Sequence, residues 1–187
     1  MEQVSLASLW LPILLSAVIV FLAAFIAWTV LPHHRSDWVQ IPDEDSLMQT
    51  IRDLGLERGQ YVFPHQMTAE GAKKEDAKEK LKEGPRGSLI VWDVPNMARS
   101  LAFYFLFCLG VSFMVAYIGY AARMPAGEDP LHVFRVLGTV AFLAYSAAEI
   151  PPAIWFGHTW SSVLKSVIDG LVFGLLTGGV FGWLWPA

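Results

Sequence analysis

Four charged residues lie within or beside apolar segments of the chain, where they could bind an ion or relay protons. Arg99 begins one such segment, Glu149 lies near the end of another, and Lys165 and Asp169 lie one helical turn apart in the last. Ionisable groups inside a membrane are costly, so they are candidates for a proton relay or a polar substrate site. Counted at about 1.5 Å per residue, all four are expected near the same membrane face. The structural alternative is that two acids and two bases neutralise one another and fix the register of the helices.

Three of the five histidines, His33, His34 and His158, are expected near that same face. His34 with His158 could in principle bind a metal ion or a haem there. However, no two histidines share one apolar segment, and no C-x-x-C-H, H-E-x-x-H or thiol cluster accompanies them. The sequence therefore predicts no metal site and no cofactor. The single cysteine, Cys108, is expected to be a small buried thiol.

Motifs of common enzyme classes are absent as well. The sequence contains no G-x-S-x-G, no P-loop and no dinucleotide fingerprint. The lysines of its polar segment are matched by acids, which is typical of a solvated helix and not of a nucleic-acid surface. We therefore predict no catalytic residues and no nucleic-acid partner. A membrane enzyme would need a metal ion in the region of His33, His34, His158 and Glu149.

Small residues recur at every fourth position of the last apolar segment. Residues four apart lie on nearly the same face of an α-helix, so they form one bare stripe that another helix can approach closely. The stripe could mediate homodimerisation or docking to another subunit, or it could pack against helices of the same chain. Its members are Ser162, Ser166, Gly170, Gly174, Gly178 and Gly182.

Four apolar segments long enough to cross a membrane would position these residues. The composition is 55% hydrophobic and only 16% charged, whereas soluble domains average about 25% charged. We predict an all-α integral membrane protein with its first transmembrane helix and flank in residues 1–36. The region 97–187 holds three more helices, at about 97–122, 131–150 and 163–185. The first apolar run is longer than the ~7–15-residue core of a signal peptide, so the helix is expected to be retained.

The polar segment 37–96 is predicted to be a small α+β module outside the membrane, between helices one and two. It reads as two short helices, one of them within Thr68–Glu83, and two strands near 59–64 and 88–94. Roughly 60 residues is close to the lower limit for an independent core, so the module is expected to lean on the membrane or on a partner.

Positive charge is concentrated in this same region and predicts the orientation. Ten of the thirteen Lys and Arg residues lie between Arg35 and Arg99. Because positively charged loops stay in the cytoplasm, residues 37–96 are expected inside and both termini outside a bacterial inner membrane.

Two functional hypotheses follow from these features. The first is a non-catalytic accessory or assembly subunit of the membrane that packs through its glycine-rich helix. The alternative is a homo-oligomeric small transporter or channel that uses Glu149 and Asp169. Both place the chain in the lipid bilayer, as a homo-oligomer or as part of a larger membrane complex.

Overall fold

The structure is a computed structural model that describes residues 3–65 and 75–187. The chain divides into two compact units. In chain order its elements are α1 (Trp10–Phe25), α2 (Glu44–Asp53), β1 (Gly59–Phe63), α3 (Glu75–Glu83), β2 (Gly87–Val91), α4 (Met97–Ala121), α5 (Pro130–Ser146), α6 (Ile150–Trp155) and α7 (Trp160–Leu184).

The first unit contains the membrane helices and comprises Met1–Trp38, Asn96–Ile154 and His158–Ala187. In the described part of the chain, four helical segments are long and apolar enough to span a bilayer: Leu6–Val30, Met97–Ala121, Pro130–Trp155 and Trp160–Leu184. At 1.5 Å per residue such helices extend about 37–39 Å, more than the ~30 Å hydrocarbon core.

The outer faces of these helices carry large apolar side chains. Leu22, Phe103 and Trp183 are 52%, 64% and 77% exposed. Exposing so much apolar surface to water is unfavourable, whereas contact with lipid tails carries no such cost. The predicted fold, an all-α membrane protein of four transmembrane helices with a small two-stranded insertion between helices one and two, is confirmed.

A polar residue caps the start of each of the four spans, and at the first span Ser5 accepts a hydrogen bond from the backbone N–H of Ser8. Asn96 accepts a hydrogen bond from the backbone N–H of Arg99, Asp129 accepts from the first turn of α5, and Thr159 accepts from Ser162. Such caps satisfy N–H groups that have no partner inside the helix, which is important where water is scarce.

A 3-10 turn interrupts the third span just before its double proline. α5 ends at Ser146, the 3-10 turn covers Ala147–Glu149, and α6 then begins at Ile150. Pro151 and Pro152 therefore lie in the first turn of a new helix, where a missing N–H costs nothing. The helix predicted at about 131–150 thus continues past the prolines as α6, which ends at Trp155.

Helices α5 and α7 form the most extensive helix pair, and glycine makes their contact possible. A Cβ atom added to Gly178 would lie 2.8 Å from both the Cα of Gly138 and the carbonyl oxygen of Phe134. Along the same stripe, Gly170 faces Ser146, Gly174 faces Phe142, and Gly182 faces the carbonyl oxygen of Pro130. Four of the six stripe residues thus lie against α5 of the same chain.

The core of the first unit has two clusters of buried side chains. One gathers α4, α5 and α7 around Val115, Leu137 and Phe181, and the C-terminal Trp185 closes it by donating from Nε1 to the carbonyl oxygen of Pro125 at 2.9 Å. The other lies between α1, α4 and α7 and contains Val20, Cys108 and Phe173. Cys108 is fully buried, as predicted.

The second unit comprises Val39–Pro95 and Trp155–Gly157. Strands β1 and β2 pair antiparallel, with Gly59 opposite Val91 and Phe63 opposite Gly87. β1 falls where the sequence predicts it, whereas β2 begins one residue before the predicted 88–94 and already ends at Val91. α3 is described from Glu75 onward, so positions 68–74 of the helix predicted within Thr68–Glu83 lie outside the described residues.

We expect Gly178→Ala to destabilise the protein more than Gly179→Ala. The added methyl at Gly178 meets backbone atoms that cannot rotate away, and overpacking of this kind costs about 1–3 kcal/mol. Gly179 is the next residue of the same helix and has nothing within 4 Å of an added Cβ. Unfolding by sodium dodecyl sulfate in mixed micelles, followed by circular dichroism, measures both variants. Equal unfolding midpoints would contradict the close contact of α5 with α7.

Candidate polar site between the first and last membrane helices

The chain changes direction where the first span ends. After α1 a π-helical turn, Ile26–Val30, widens the helix. Pro32 follows, and Leu31 before it is extended because proline disfavours a helical predecessor. The next residues form a 3-10 turn, His33–Asp37. With about three residues per turn, the side chains of His34 and Asp37 emerge on the same side.

Two residues of α7 meet this turn. Lys165 and Asp169 are four apart and share one face of the helix. The Nζ atom of Lys165 donates to Asp37 Oδ1 at 2.5 Å and to Ser36 Oγ at 2.7 Å. Asp169 accepts from His34 Nε2 at 2.8 Å and from His33 Nε2 at 3.2 Å. The contacts form a continuous chain from Lys165 through Asp37, His34 and Asp169 to His33.

His34 is at the centre of this chain and is almost fully buried. Its Nδ1 contacts Asp37 Oδ2 at 2.6 Å while its Nε2 contacts Asp169, and the side chains of His34 and Asp37 are each 4% exposed. A carboxylate only accepts hydrogen bonds, so this geometry favours the imidazolium form, in which both ring nitrogens donate. Trp28 stacks on this ring with centroids 3.9 Å apart and planes 4° from parallel, as a cation–π contact requires.

Opposing effects set the pKa values of the two residues in the turn. Burial lowers the pKa of His34, but its hydrogen bonds to Asp169 and Asp37 and the charges of both carboxylates outweigh burial and raise that pKa. Burial likewise raises the pKa of Asp37, and the contacts with Lys165 and His34 outweigh it and lower that pKa. Both shifts favour the charged forms of His34 and Asp37. We call the chain of contacts from Lys165 to His33 the ionic network.

A cavity of about 540 Å³ lies beside the network, among the membrane helices. Aromatic rings form much of its wall: Tyr145 meets Phe173 edge to face at 5.6 Å and Phe107 at 5.9 Å. Asp169 belongs to both the network and the cavity, and Glu149 adds a second carboxylate. The lining residues are Phe21, Ala24, Phe25, Trp28, Thr29, Leu101, Tyr104, Phe107, Ala144, Tyr145, Ala148, Glu149, Ser166, Asp169 and Phe173.

The structure brings together some of the predicted polar residues and separates others. Lys165 and Asp169 lie in the network, and Glu149 shares the cavity with Asp169. The side chain of Arg99 forms no ion pair within residues 3–65 and 75–187, and neither does that of Glu149. His158 is exposed and lies outside the cluster formed by His33, His34 and Asp169.

Sequence reasoning missed the participation of Asp37 and the pairing of both histidines with Asp169. It placed His33, His34 and Asp169 near one membrane face, and this shared depth was the indication that they could lie together. It did not show that the short segment after Pro32 folds back against α7. The His34–Asp37 spacing of three residues, directly after a proline that ends a helix, could have indicated a 3-10 turn with a shared face.

The remaining stripe residues lie at this end of α7. Ser166 lines the cavity, and the backbone N–H of Ser162 donates to the capping hydroxyl of Thr159 at 3.4 Å. Ser166 therefore borders the cavity, while the glycines of the stripe contact α5 farther along α7.

Compared with known proteins, the chain matches no protein-family model, no curated protein and no solved structure. The function must therefore be argued from the site itself.

We expect Asp37→Asn to lower the free energy of unfolding by about 1–3 kcal/mol, the usual cost of losing a hydrogen bond to a buried charged group. The substitution leaves the ammonium of Lys165 and the imidazolium of His34 without their shared carboxylate. Asp45→Asn, an exposed site on α2, serves as the matched control and is expected to change stability by less than about 0.5 kcal/mol. If thermal unfolding in detergent cannot distinguish the two variants, the network does not stabilise the fold.

Proposed function

We propose that this multi-pass membrane protein binds an amphipathic molecule in the cavity between its helices, with the polar end of that molecule at Glu149 and Asp169. The cavity carries the proposal. Its volume of about 540 Å³ falls within the ~300–1,000 Å³ range of small-molecule sites. Such sites combine apolar walls with a few convergent polar groups, and this one has aromatic walls and two carboxylates.

The character of the walls favours an amphipathic solute over a hydrated ion. A hydrated ion needs a path of polar groups, whereas most of this lining is apolar: Phe21, Leu101, Phe107 and Phe173 all contribute. A lipid-soluble solute satisfies such walls with its hydrocarbon part. The transporter hypothesis is therefore retained in a narrower form, with an amphipathic solute in place of an inorganic ion, and the carboxylates orient the head group.

The accessory-subunit hypothesis is the second candidate, and exposed apolar residues of the second unit favour it. Val39, Trp92 and Val94 are 87%, 63% and 93% exposed. A partner protein docked there would bury them. The glycine stripe supports this hypothesis less, because Gly170, Gly174, Gly178 and Gly182 already lie against α5.

A bulky side chain in the cavity should abolish binding of the proposed amphipathic molecule. Ala144 lines it, and Ala144→Trp places an indole in the space that the ligand would use. Ala102→Trp adds the same side chain at an exposed position of α4 that does not line the cavity. The measurement is native mass spectrometry of the protein extracted from its own membrane. We expect a bound small molecule on the wild type and on Ala102→Trp, at least tenfold depleted on Ala144→Trp.

The alternatives give different spectra in that experiment. Equal amounts of a bound molecule on both variants, or none on the wild type, would refute binding in the cavity. A wild-type particle that carries no small molecule but holds a stoichiometric second protein would support the accessory-subunit function.

We further propose that the protein lies in a bacterial inner membrane with residues 37–96 in the cytoplasm and both termini outside. The excess of Lys and Arg between Arg35 and Arg99 supports this orientation.

Labelling of introduced cysteines tests the orientation. Cys108→Ser removes the only native thiol, which is fully buried. In that background, Ala187→Cys should react with a membrane-impermeant maleimide in spheroplasts. Glu79→Cys, on α3, should react only after the membrane is permeabilised. The reverse pattern would invert the topology.

A further inference from the structure

The two adjacent histidines and Asp169 point to a site for a metal ion. One possible ligand atom from each of the three residues lies within 4.8 Å of the other two, and both Nε2 atoms contact the Asp169 carboxylate. We propose that these three side chains bind one divalent transition-metal ion of the Zn²⁺ type. The site goes beyond the proposed ligand cavity, and it differs from the absence of metal that the sequence predicts.

The interatomic distances suit one small ion. Zn–N and Zn–O bonds of about 2.0–2.2 Å in a tetrahedral site place ligand atoms about 3.3–3.5 Å apart. Here one oxygen, Asp169 Oδ2, lies 3.4 Å from His33 Nε2 and 2.8 Å from His34 Nε2. The second pair needs to separate by roughly half an ångström, a small side-chain adjustment. The entering ion displaces the Nε2 proton of the His34 imidazolium to solvent, and the neutral His33 ring binds through Nε2 with its one proton on Nδ1.

The surroundings of His34 match those of a metal-binding histidine. Such a histidine usually donates its other ring N–H to a carboxylate, which fixes the ring orientation and makes the free nitrogen a better ligand. Asp37 accepts from His34 Nδ1 at 2.6 Å, Lys165 holds Asp37 at 2.5 Å, and Trp28 stacks on the ring. Because Nδ1 is held by Asp37, Nε2 is the nitrogen of His34 that remains to coordinate a metal ion. Asp37 is therefore a positioning residue.

The proposed ligands are two nitrogen atoms and one oxygen atom, and this combination narrows the choice of metal ion. Two imidazoles and one carboxylate suit Zn²⁺ and related transition metals, whereas Ca²⁺ and Mg²⁺ prefer all-oxygen sites. Three protein ligands also leave a coordination position for water or for an added ligand, as in catalytic zinc sites.

Asp169 connects this site to the cavity, since it belongs to both. The open coordination position would therefore receive the polar end of a molecule in the cavity. This last step rests on the proposed function, whereas metal binding itself does not.

The test is metal uptake by the full-length protein in detergent. Protein stripped with a chelator is titrated with Zn²⁺, and uptake is measured by elemental analysis after desalting. Co²⁺ then replaces Zn²⁺, because its visible absorption reports tetrahedral coordination. We expect one Zn²⁺ per wild-type chain. His33→Gln and Asp169→Asn should lose stoichiometric binding, and Asp37→Asn should weaken it about 10–100-fold without changing the stoichiometry.

The matched control is His158→Gln, which removes an exposed histidine outside the cluster and should retain one Zn²⁺ per chain. His33 is 30% exposed in its side chain, so His33→Gln is the variant expected to keep its fold, as circular dichroism will show.

A wild type that binds no stoichiometric Zn²⁺, or equal binding by the wild type and folded His33→Gln, overturns the proposal. Ala144→Trp should keep its metal while losing the cavity ligand, so failure of one proposal is distinguishable from failure of the other.

Discussion

The close approach of α5 and α7 determines where the functional groups of this protein lie. Inside a bilayer, lipid is as apolar as the helix surface, so helices associate through close packing and hydrogen bonds instead of the hydrophobic effect. Here that packing brings the backbone of Gly178 against Gly138. It fixes α7, which carries Lys165 and Asp169, relative to α5, which carries Tyr145. The cavity wall and the acidic end of the ionic network therefore depend on the close contact that the glycines of α7 make with α5.

The ionic network is consistent with the cost of charge at such a position. Two carboxylates, of Asp37 and Asp169, face one ammonium and one imidazolium, so their formal charges sum to zero when His33 is neutral. A neutral, fully hydrogen-bonded group is tolerated where an isolated charge is not. The same arrangement joins the end of the first span to the last span, so it holds together two helices that are distant in sequence.

Much of this architecture could be predicted from the sequence because it depends on local patterns. Four long apolar runs, the cap residues and two short strands all carry signals within a few residues. The ionisable pair Lys165 and Asp169 was equally visible, since charges stand out in an apolar helix. The sequence does not show which helix packs against which face. The glycine stripe predicts close packing of the last helix, but it does not identify the helix that packs there. Arg99 was grouped with the acids by depth alone, and depth does not specify rotation about a helix axis.

The π-helical turn at Ile26–Val30 gives the end of the first span a local tolerance to chain length. Such a turn holds one residue more than the equivalent α-helical turn. Losing that residue would restore a regular helix and leave the residues beyond it facing nearly the same way. Losing a residue from the regular helix α1 would instead rotate everything that follows by about 100° about its axis. Trp28 and the turn at His33–Asp37 would then no longer share a side with α7. The π-helical turn therefore separates the length of the first span from the orientation of the site.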